Sequence, residues 1–271
     1  MKIDYAGAAV RIADGGHPGD SDEPLVVLLH GAGMDRTAWQ LQTRYLAHHG
    51  YRAAAVDLPG HGRSGGSPLS TIAEMAAWTA GLVDALGAST AHLVGHSMGS
   101  FIALEAAATF PEVVESLVLL GTAAAMPVHP DLLEASTRDV LHASALMASW
   151  GFSPSAHIGQ AASPGLWLIG GTQALVDSAP GGSLAADLAA CNRYADAAVR
   201  AAAVRCPVTL VTGTADKMTP PRAARELIEA FASPPTVVVL DGVGHMMMTE
   251  SPDRVREAIV AALEPGRDPA S

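Results

Sequence analysis

The chain has 271 residues, of which 49% are hydrophobic and only 16% are charged, so its composition excludes a disordered protein. Sixteen basic and 27 acidic residues give a net charge of -11. Phosphate backbones and anionic membrane surfaces would repel this charge, so we expect neither nucleic acid nor a membrane as a partner.

The two cysteines, Cys191 and Cys206, have neither disulfide-like nor metal-like spacing, so we expect free thiols and no metal. Free thiols are typical of a reducing compartment. Asp4 lies where a secretory signal would have its apolar segment. The sequence therefore predicts a cytoplasmic protein.

Short, uninterrupted apolar runs recur along the chain, with helix-like segments between them. Such runs are typical of strands that are buried on both faces of a parallel sheet. Two weaker runs, at residues 2–5 and 8–12, predict an antiparallel hairpin at the sheet edge. The predicted parallel strands are residues 25–29, 53–56, 92–94, 117–120, 208–211 and 237–240.

Helical periodicity is clearest after residue 71. Thr71 and Glu74 have the spacing of a capping box, and Gly87 is placed to end the helix. A last helix is predicted from the N-cap residue Ser251 to about Leu263. The alternation of strands and helices predicts an α/β fold: an open, mostly parallel sheet of about eight strands with helices on both faces. The apolar face of the helix that follows Thr71 would consist of Ile72, Met75, Thr79, Leu82 and Leu86.

The strand pattern stops after Gly121 and resumes at Cys206. The intervening residues are rich in alanine and in Gly-Pro breaks, and they look helical without any strand. We therefore predict a core domain of residues 1–121 and 206–271. An α-helical cap of residues 122–205 would be inserted after the sixth strand.

A serine between two glycines follows the predicted strand 92–94 directly. A sharp turn from a strand into a helix needs small residues on both sides of a strained residue, because larger side chains would clash there. Gly95 and Gly99 meet this requirement around Ser97. Such a turn raises the serine hydroxyl above the sheet edge, so Ser97 is the predicted nucleophile.

A serine hydroxyl is a poor nucleophile without a base to take its proton and an acid to orient that base. Asp216 and His245 each lie in a loop after a predicted strand, at the edge where ligand sites form in open α/β sheets. Asp241 is the rival acid, but the short, tight loop between it and His245 makes their contact awkward. The predicted triad is Ser97, His245 and Asp216.

The other histidines are not expected to be catalytic. His30, His61 and His96 lie in or beside glycine turns and are expected to shape these loops. The histidines of the predicted cap are expected to be solvated or packed, and they are His129, His142 and His157.

Hydrolysis through an acyl-enzyme also needs hydrogen-bond donors for the tetrahedral oxyanion, typically two backbone N–H groups. The N–H of Met98, directly after the nucleophile, is one candidate. Small residues after strand 25–29 would let the backbone approach a substrate closely. We predict the N–H of Ala32 as the second donor, with Gly33 as its alternate.

Methionines adjoin several of the predicted catalytic loops. Methionine fills irregular apolar space, so these residues indicate an adaptable apolar site for an acyl or alcohol group, with ordinary core packing as the open alternative. Tryptophans of the cap could roof this site or anchor the cap. The predicted pocket residues are Met34, Met126, Trp150, Trp167, Met218 and Met246.

Together these motifs resemble those of the α/β-hydrolase fold superfamily, in the branch with a helical cap inserted over the site. Residues 30–31 are similar to its oxyanion loop, residues 57–64 to its post-strand turn and residues 95–99 to its nucleophile elbow. The chain order of serine, aspartate and histidine is also that of the family. Serine at the elbow argues against the related dehalogenases and epoxide hydrolases, which carry aspartate there.

The resemblance implies a hydrolase of small-molecule carboxylic esters or thioesters, which needs no cofactor. One alternative is a C–C bond hydrolase, although those enzymes usually have Ser-Gly-Pro where this chain has Ala32, Gly33 and Met34. Others are a hydroxynitrile lyase, a perhydrolase-like enzyme or cofactor-free oxygenase on the same triad, and a non-catalytic small-molecule receptor. The fold alone does not distinguish between these activities.

Overall fold

The computed structural model describes residues 1–264, except residues 18, 21, 163 and 164. Their eight strands form one sheet in the order β1-β2-β4-β3-β5-β6-β7-β8. The predicted fold class is confirmed. The strands are β1 (Lys2–Tyr5), β2 (Ala8–Ala13), β3 (Leu25–Leu29), β4 (Arg52–Val56), β5 (Ala91–His96), β6 (Val114–Leu120), β7 (Val208–Gly213) and β8 (Thr236–Leu240).

Strand pairing places a crevice at the middle of the sheet. β1 and β2 form the expected antiparallel hairpin, and β2 pairs antiparallel with β4. The other five pairs are parallel. From β3 the chain moves to β4 on one side and then returns to β5 on the other side. The loops after β3 and β5 therefore diverge, and ligand sites of open α/β sheets form at such a point.

Helices cover both faces of the sheet because side chains of a strand alternate between its faces. Val27 and Leu29 of β3 pack on one side, while Val26 and Leu28 pack on the other. The helices are α1 (Gln40–Ala47), α2 (Ile72–Ala85), α3 (Met98–Thr109), α4 (Pro130–Arg138), α5 (Val140–Gly151), α6 (Pro154–His157), α7 (Leu168–Asp177), α8 (Ser183–Arg193), α9 (Ala197–Ala203), α10 (Arg225–Ala230), α11 (Met247–Glu250) and α12 (Pro252–Leu263).

Six of these helices, α4 to α9, lie between β6 and β7, and the described residues of this segment contain no strand. We call residues 122–205 the cap. Its status as a separate domain stays a prediction. No helix within the described ranges has the length and apolar character that crossing a bilayer requires.

The capping box predicted for α2 is present. Thr71 Oγ1 accepts a hydrogen bond from the backbone N–H of Glu74 at 3.1 Å, and Glu74 Oε2 accepts one from the N–H of Thr71 at 3.0 Å. Gly87, just after the helix, has a φ of +73°, which glycine adopts without strain. Local sequence signals therefore set both ends of this helix.

We expect Thr71→Ala to lower the free energy of unfolding by about 1 kcal/mol, because one N–H at the start of α2 loses its acceptor. Urea unfolding measures the loss. Thr137→Ala is the matched control, since Thr137 is an exposed residue inside α4 and alanine is favoured in helices. Equal losses in both variants would contradict a role for the cap.

Candidate active site

Ser97 lies in a strained turn between β5 and α3. Its φ of +53° is in the left-handed region, which side chains other than glycine rarely adopt. A Cβ atom on Gly95 would overlap the carbonyl group of Gly99, and one on Gly99 would overlap the carbonyl oxygen of Leu29. Only glycine fits at both positions, so the turn can close tightly beneath the serine.

Hydrogen bonds hold this turn in place. The backbone N–H of Ser97 donates to the carbonyl oxygen of Leu120 at 2.9 Å, which ties the turn to the end of β6. The hydroxyl of Ser100 donates to the carbonyl oxygen of Ser97 at 2.6 Å. The Ser97 side chain is half-buried and lines a cavity above the sheet.

Asp216 and His245 form a buried hydrogen-bonded pair. Nδ1 of His245 lies 2.9 Å from Oδ2 of Asp216, and both side chains are almost fully buried. The other carboxylate oxygen accepts the backbone N–H groups of Met218 and Thr219, each at 2.8 Å. Burial alone would raise the pKa of Asp216, but the charge of His245 and these hydrogen bonds hold that pKa well below its usual range.

This pairing fixes which nitrogen of His245 can act as a base. Because the carboxylate accepts a hydrogen bond, Nδ1 carries the proton and Nε2 has a free lone pair. Nε2 is buried and has no hydrogen-bond partner among the described residues, and His245 lines the same cavity as Ser97. The structure therefore brings the three predicted residues together at one cavity. Asp216 and His245 are hydrogen-bonded to each other, whereas His245 and Ser97 are not.

Asp241, the rival acid, has another partner. Its Oδ1 accepts a hydrogen bond from Thr214 Oγ1 at 3.0 Å on the protein surface. Sequence reasoning missed Thr219, whose Oγ1 donates to Oδ2 of Asp216 at 2.7 Å and lies 3.1 Å from Nδ1 of His245. A threonine three residues after an aspartate in a loop is a local signal for such a bond.

His96 supports the loop that carries His245. Its Nε2 lies 3.0 Å from the carbonyl oxygen of His245, so Nε2 donates. Burial and the neighbouring His245 lower the pKa of His96 to about 3, which keeps its ring neutral. Nδ1 of His96 is buried and has no partner within the described part of the chain.

His30 is likewise neutral and shapes the loop after β3. Its Nδ1 donates to the carbonyl oxygen of Gly31 at 2.9 Å, and its Nε2 accepts the N–H of Leu58 at 3.3 Å. Burial and the nearby His61 lower the pKa of His30 to about 3. Its hydrogen bonds connect the loop after β3 to the turn after β4.

The structure separates the two candidates for the second oxyanion donor. The N–H of Gly33 donates to Oδ2 of Asp187 at 2.8 Å, so it is not free for a substrate, and the alternate prediction is wrong. The N–H groups of Ala32 and Met98 have no acceptor among the described residues. A Cβ atom on Gly31 would lie 3.4 Å from the Cβ of Ser97, which places the loop beside the serine.

The cavity above Ser97 has a volume of about 660 Å³ and a mostly apolar lining. Five of the six predicted pocket residues contribute to it, namely Met34, Met126, Trp150, Met218 and Met246. Trp167 does not. It precedes α7, whose buried face consists of other residues, and its side chain is 74% exposed, so that prediction is wrong.

Nothing in the sequence indicates that several other residues line the cavity. Leu132, Met147, Leu188 and Cys191 reach the cavity from the cap helices. His129, expected to be solvated or packed, lies at the cavity edge with its ring 5.3 Å from that of Trp150. Lys217 also lines this edge, and no carboxylate side chain does so in the described part of the chain.

No group of three or more histidine, cysteine, aspartate or glutamate side chains in the described ranges could hold a metal ion. The cysteines Cys191 and Cys206 are both free. The side chains around this cavity offer a hydroxyl, an imidazole and a carboxylate, which are the groups that a nucleophile, a base and its orienting acid require.

Residues 26–258 match the profile of the Alpha/beta hydrolase family. An (E)-2-((N-methylformamido)methylene)succinate hydrolase of Acinetobacter baylyi is 29% identical over 255 residues, which cover 89% of this chain and 90% of that protein. A 2-hydroxy-6-oxononadienedioate/2-hydroxy-6-oxononatrienedioate hydrolase of Burkholderia vietnamiensis is 42% identical over 111 residues, which cover 38% of this chain and 37% of that protein.

Solved structures share the whole fold. A thermophilic esterase from Thermogutta terrifontis superposes with a TM-score of 0.82 at 26% identity, and the match covers 97% of each chain. The enol-lactonase from Burkholderia xenovorans has a TM-score of 0.83 at 23% identity, with 97% of this chain and 99% of that chain covered. At that identity the second likeness concerns the fold alone.

We expect the free energy of unfolding to fall as the pH decreases from about 6.5 toward 4. The unfolded chain binds protons at His30 and His96 in this range, whereas the folded protein keeps both rings neutral. Each group contributes a slope of up to about 1.4 kcal/mol per pH unit. His61, whose pKa is raised, is protonated in both states once the pH is about one unit below the usual histidine pKa, and it adds no slope there.

Urea unfolding across this pH range measures the slope. His96→Asn should reduce it, because one of the histidines whose pKa burial lowers no longer titrates. His142→Asn is the matched control, since His142 is exposed in α5 and should leave the slope unchanged. A slope that is the same in all three proteins would argue against the neutral state of His96.

Proposed function

Since the chain belongs to the alpha/beta hydrolase family, we propose that it is a serine hydrolase that cleaves carboxylic esters through an acyl-enzyme on Ser97. One observation carries this proposal: Nε2 of His245 has no partner among the described residues while Nδ1 is hydrogen-bonded to Asp216, in the cavity that Ser97 lines. This is the arrangement that a general base for a serine hydroxyl requires.

The proposed reaction begins when Ser97 Oγ attacks the acyl carbonyl carbon and Nε2 of His245 takes the hydroxyl proton. Asp216 stabilises the imidazolium that forms, and the N–H groups of Ala32 and Met98 bind the oxyanion. The carbonyl then re-forms, and the alcohol leaves with the proton from His245. Water, deprotonated by the same nitrogen, attacks the acyl-enzyme and releases the acid.

The cavity supports small to medium apolar substrates. Its volume of about 660 Å³ suits an acyl or alcohol group of modest size, and flexible methionines line it next to Ser97. Thioesters would follow the same steps. The thermophilic esterase from Thermogutta terrifontis, at 26% identity over nearly the whole chain, also favours an ester substrate.

Cleavage of a C–C bond is the second candidate, and the relative from Burkholderia vietnamiensis named above favours it. The same serine and histidine would serve such a reaction. Hydroxynitrile lyase, cofactor-free oxygenase and receptor activities are alternatives without an acyl-enzyme on Ser97. A perhydrolase-like activity on the same triad is a further alternative. The free thiols of Cys191 and Cys206 are compatible with a reducing compartment, and we propose a cytoplasmic location on that basis.

We expect a fluorophosphonate to form a single adduct, on Ser97, because only an activated serine attacks such a reagent rapidly. Intact mass and peptide mapping measure the adduct. Ser97→Ala should fold, take no label and lose turnover of p-nitrophenyl esters. Ser144→Ala is the matched control and should keep the label, because Ser144 lies in α5, where its hydroxyl donates to the carbonyl oxygen of Leu141, and does not line the cavity. A folded wild-type protein without any adduct would overturn the proposal.

We expect Asp216→Asn to lower kcat by about 10⁴-fold, because the amide no longer stabilises the imidazolium of His245 or fixes its tautomer. Steady-state kinetics with a p-nitrophenyl ester measure the loss. Asp241→Asn is the matched control, since this carboxylate contacts Thr214 instead and should keep the wild-type kcat. Similar losses in the two variants would contradict the assignment of Asp216.

A further inference from the structure

The cap helix α8 packs directly on the loop that carries the proposed oxyanion donor. Gly33 has a φ of +66°, and a Cβ atom there would lie 2.6 Å from Cδ1 of Leu184. A larger residue here would be strained by this φ and would displace the Leu184 side chain. Leu188 and Cys191 on the same helix line the cavity, so α8 is both a cavity wall and the support of the loop.

Asp187 connects α8 to this loop through one carboxylate oxygen. Its Oδ2 accepts the backbone N–H of Gly33 at 2.8 Å and lies 2.8 Å from Nε2 of His61. Asp187 is fully buried, and its Oδ1 has no hydrogen-bond partner among the described residues. A buried carboxylate with one unpaired oxygen is costly, so its two bonds through Oδ2 must be strong ones.

His61 provides the compensating charge. Its Nδ1 lies 3.0 Å from the carbonyl oxygen of Pro59, and its Nε2 faces Asp187. Both partners are acceptors, so both nitrogens carry protons and the ring is an imidazolium. Burial alone would lower the pKa of His61, but the hydrogen bond and charge of Asp187 outweigh burial and raise it. The two side chains are therefore a buried ion pair between cap and core.

The bond to Gly33 bears on the neighbouring donor. The N–H of Gly33 belongs to the planar peptide unit that follows Ala32, so an acceptor fixed at that N–H fixes this plane. Fixing the plane restricts the backbone of Ala32. Ala32 lines the cavity, and its own N–H has no partner among the described residues. Donors aimed in advance at the oxyanion lower the barrier because they need no reorganisation during the reaction.

We propose that Asp187 is a positioning residue, which holds the loop of residues 31–34 so that the N–H of Ala32 points at the oxyanion. This inference rests on the proposed function. It assigns to a cap residue a part in the chemistry of the core, with the carboxylate acting through Gly33 rather than on the substrate. A substitution of Asp187 should therefore destabilise the transition state more than it weakens substrate binding.

Asp187→Asn tests this role. The amide has nearly the shape of the carboxylate, but its oxygen carries no negative charge. The hydrogen bond from Gly33 therefore loses its charge assistance, and the loop is held less firmly. We expect kcat for a p-nitrophenyl ester to fall by about tenfold to a hundredfold, with KM within about twofold of the wild type. Binding of a trifluoromethyl ketone, which forms a tetrahedral adduct on Ser97, should weaken by a similar factor.

Glu105→Gln is the matched control. Glu105 is also buried, and it joins α3 to the cap through Tyr194 Oη at 2.7 Å and Arg200 Nε at 2.9 Å, without contact to the loop of residues 31–34. It should lose stability and keep the wild-type kcat. His61→Gln should keep most of the kcat, because its amide can still donate to Asp187 while Asp187 accepts from Gly33.

The outcomes separate this inference from the proposed function. A wild-type kcat in folded Asp187→Asn, or equal losses of kcat in Asp187→Asn and Glu105→Gln, would overturn the positioning role while leaving Ser97 as nucleophile. If the wild type takes no label on Ser97, the proposed function fails. Amide hydrogen exchange of Gly33 in the wild type tests the bond between Gly33 and Asp187, whether or not Asp187→Asn folds. Slow exchange supports this bond, and fast exchange refutes it.

Discussion

The close approach of the turn after β5 to the end of β3 is the constraint on which the site depends. Gly99 lies against the carbonyl group of Leu29, so the start of α3 and the loop after β3 share one small volume. This contact leaves no space for a relaxed backbone at Ser97, whose positive φ is held by surrounding structure. The same contact brings the proposed oxyanion loop beside the serine, at the point where the strand order diverges.

The cap is bonded to the catalytic loops as well as packed over them. Glu250 accepts the N–H groups of Gly244 and of Ser153 in the cap, and the N–H of Met246 donates to the carbonyl oxygen of Gly151 at 3.0 Å. With Asp187 these bonds connect the cap to the loop after β3 and to the loop that carries His245. Displacing the cap would break several buried polar contacts at once, each of which is costly to leave unpaired.

Local patterns predicted the sheet, the turn at Ser97 and the loop positions of Asp216 and His245, because buried parallel strands and a tight strand-to-helix turn each restrict nearby residues. Contacts between distant segments left no such pattern. Nothing near Gly33 indicates that its N–H belongs to Asp187, which is 154 residues away. Trp167 illustrates the same limit: a large apolar side chain in a cap segment predicts burial, yet this residue lies just before α7 with its side chain 74% exposed.

Burial acts differently on three histidines that lie close together around the site. His30 and His96 have a neutral hydrogen-bonding environment, and desolvation keeps both uncharged. His61, whose ring is 5.0 Å from that of His30, is charged because Asp187 faces it. This imidazolium lies behind the oxyanion loop, but its carboxylate partner cancels most of its field. The proposed oxyanion site therefore relies on oriented N–H dipoles rather than on a net positive charge, and the ion pair acts by fixing the backbone that carries them.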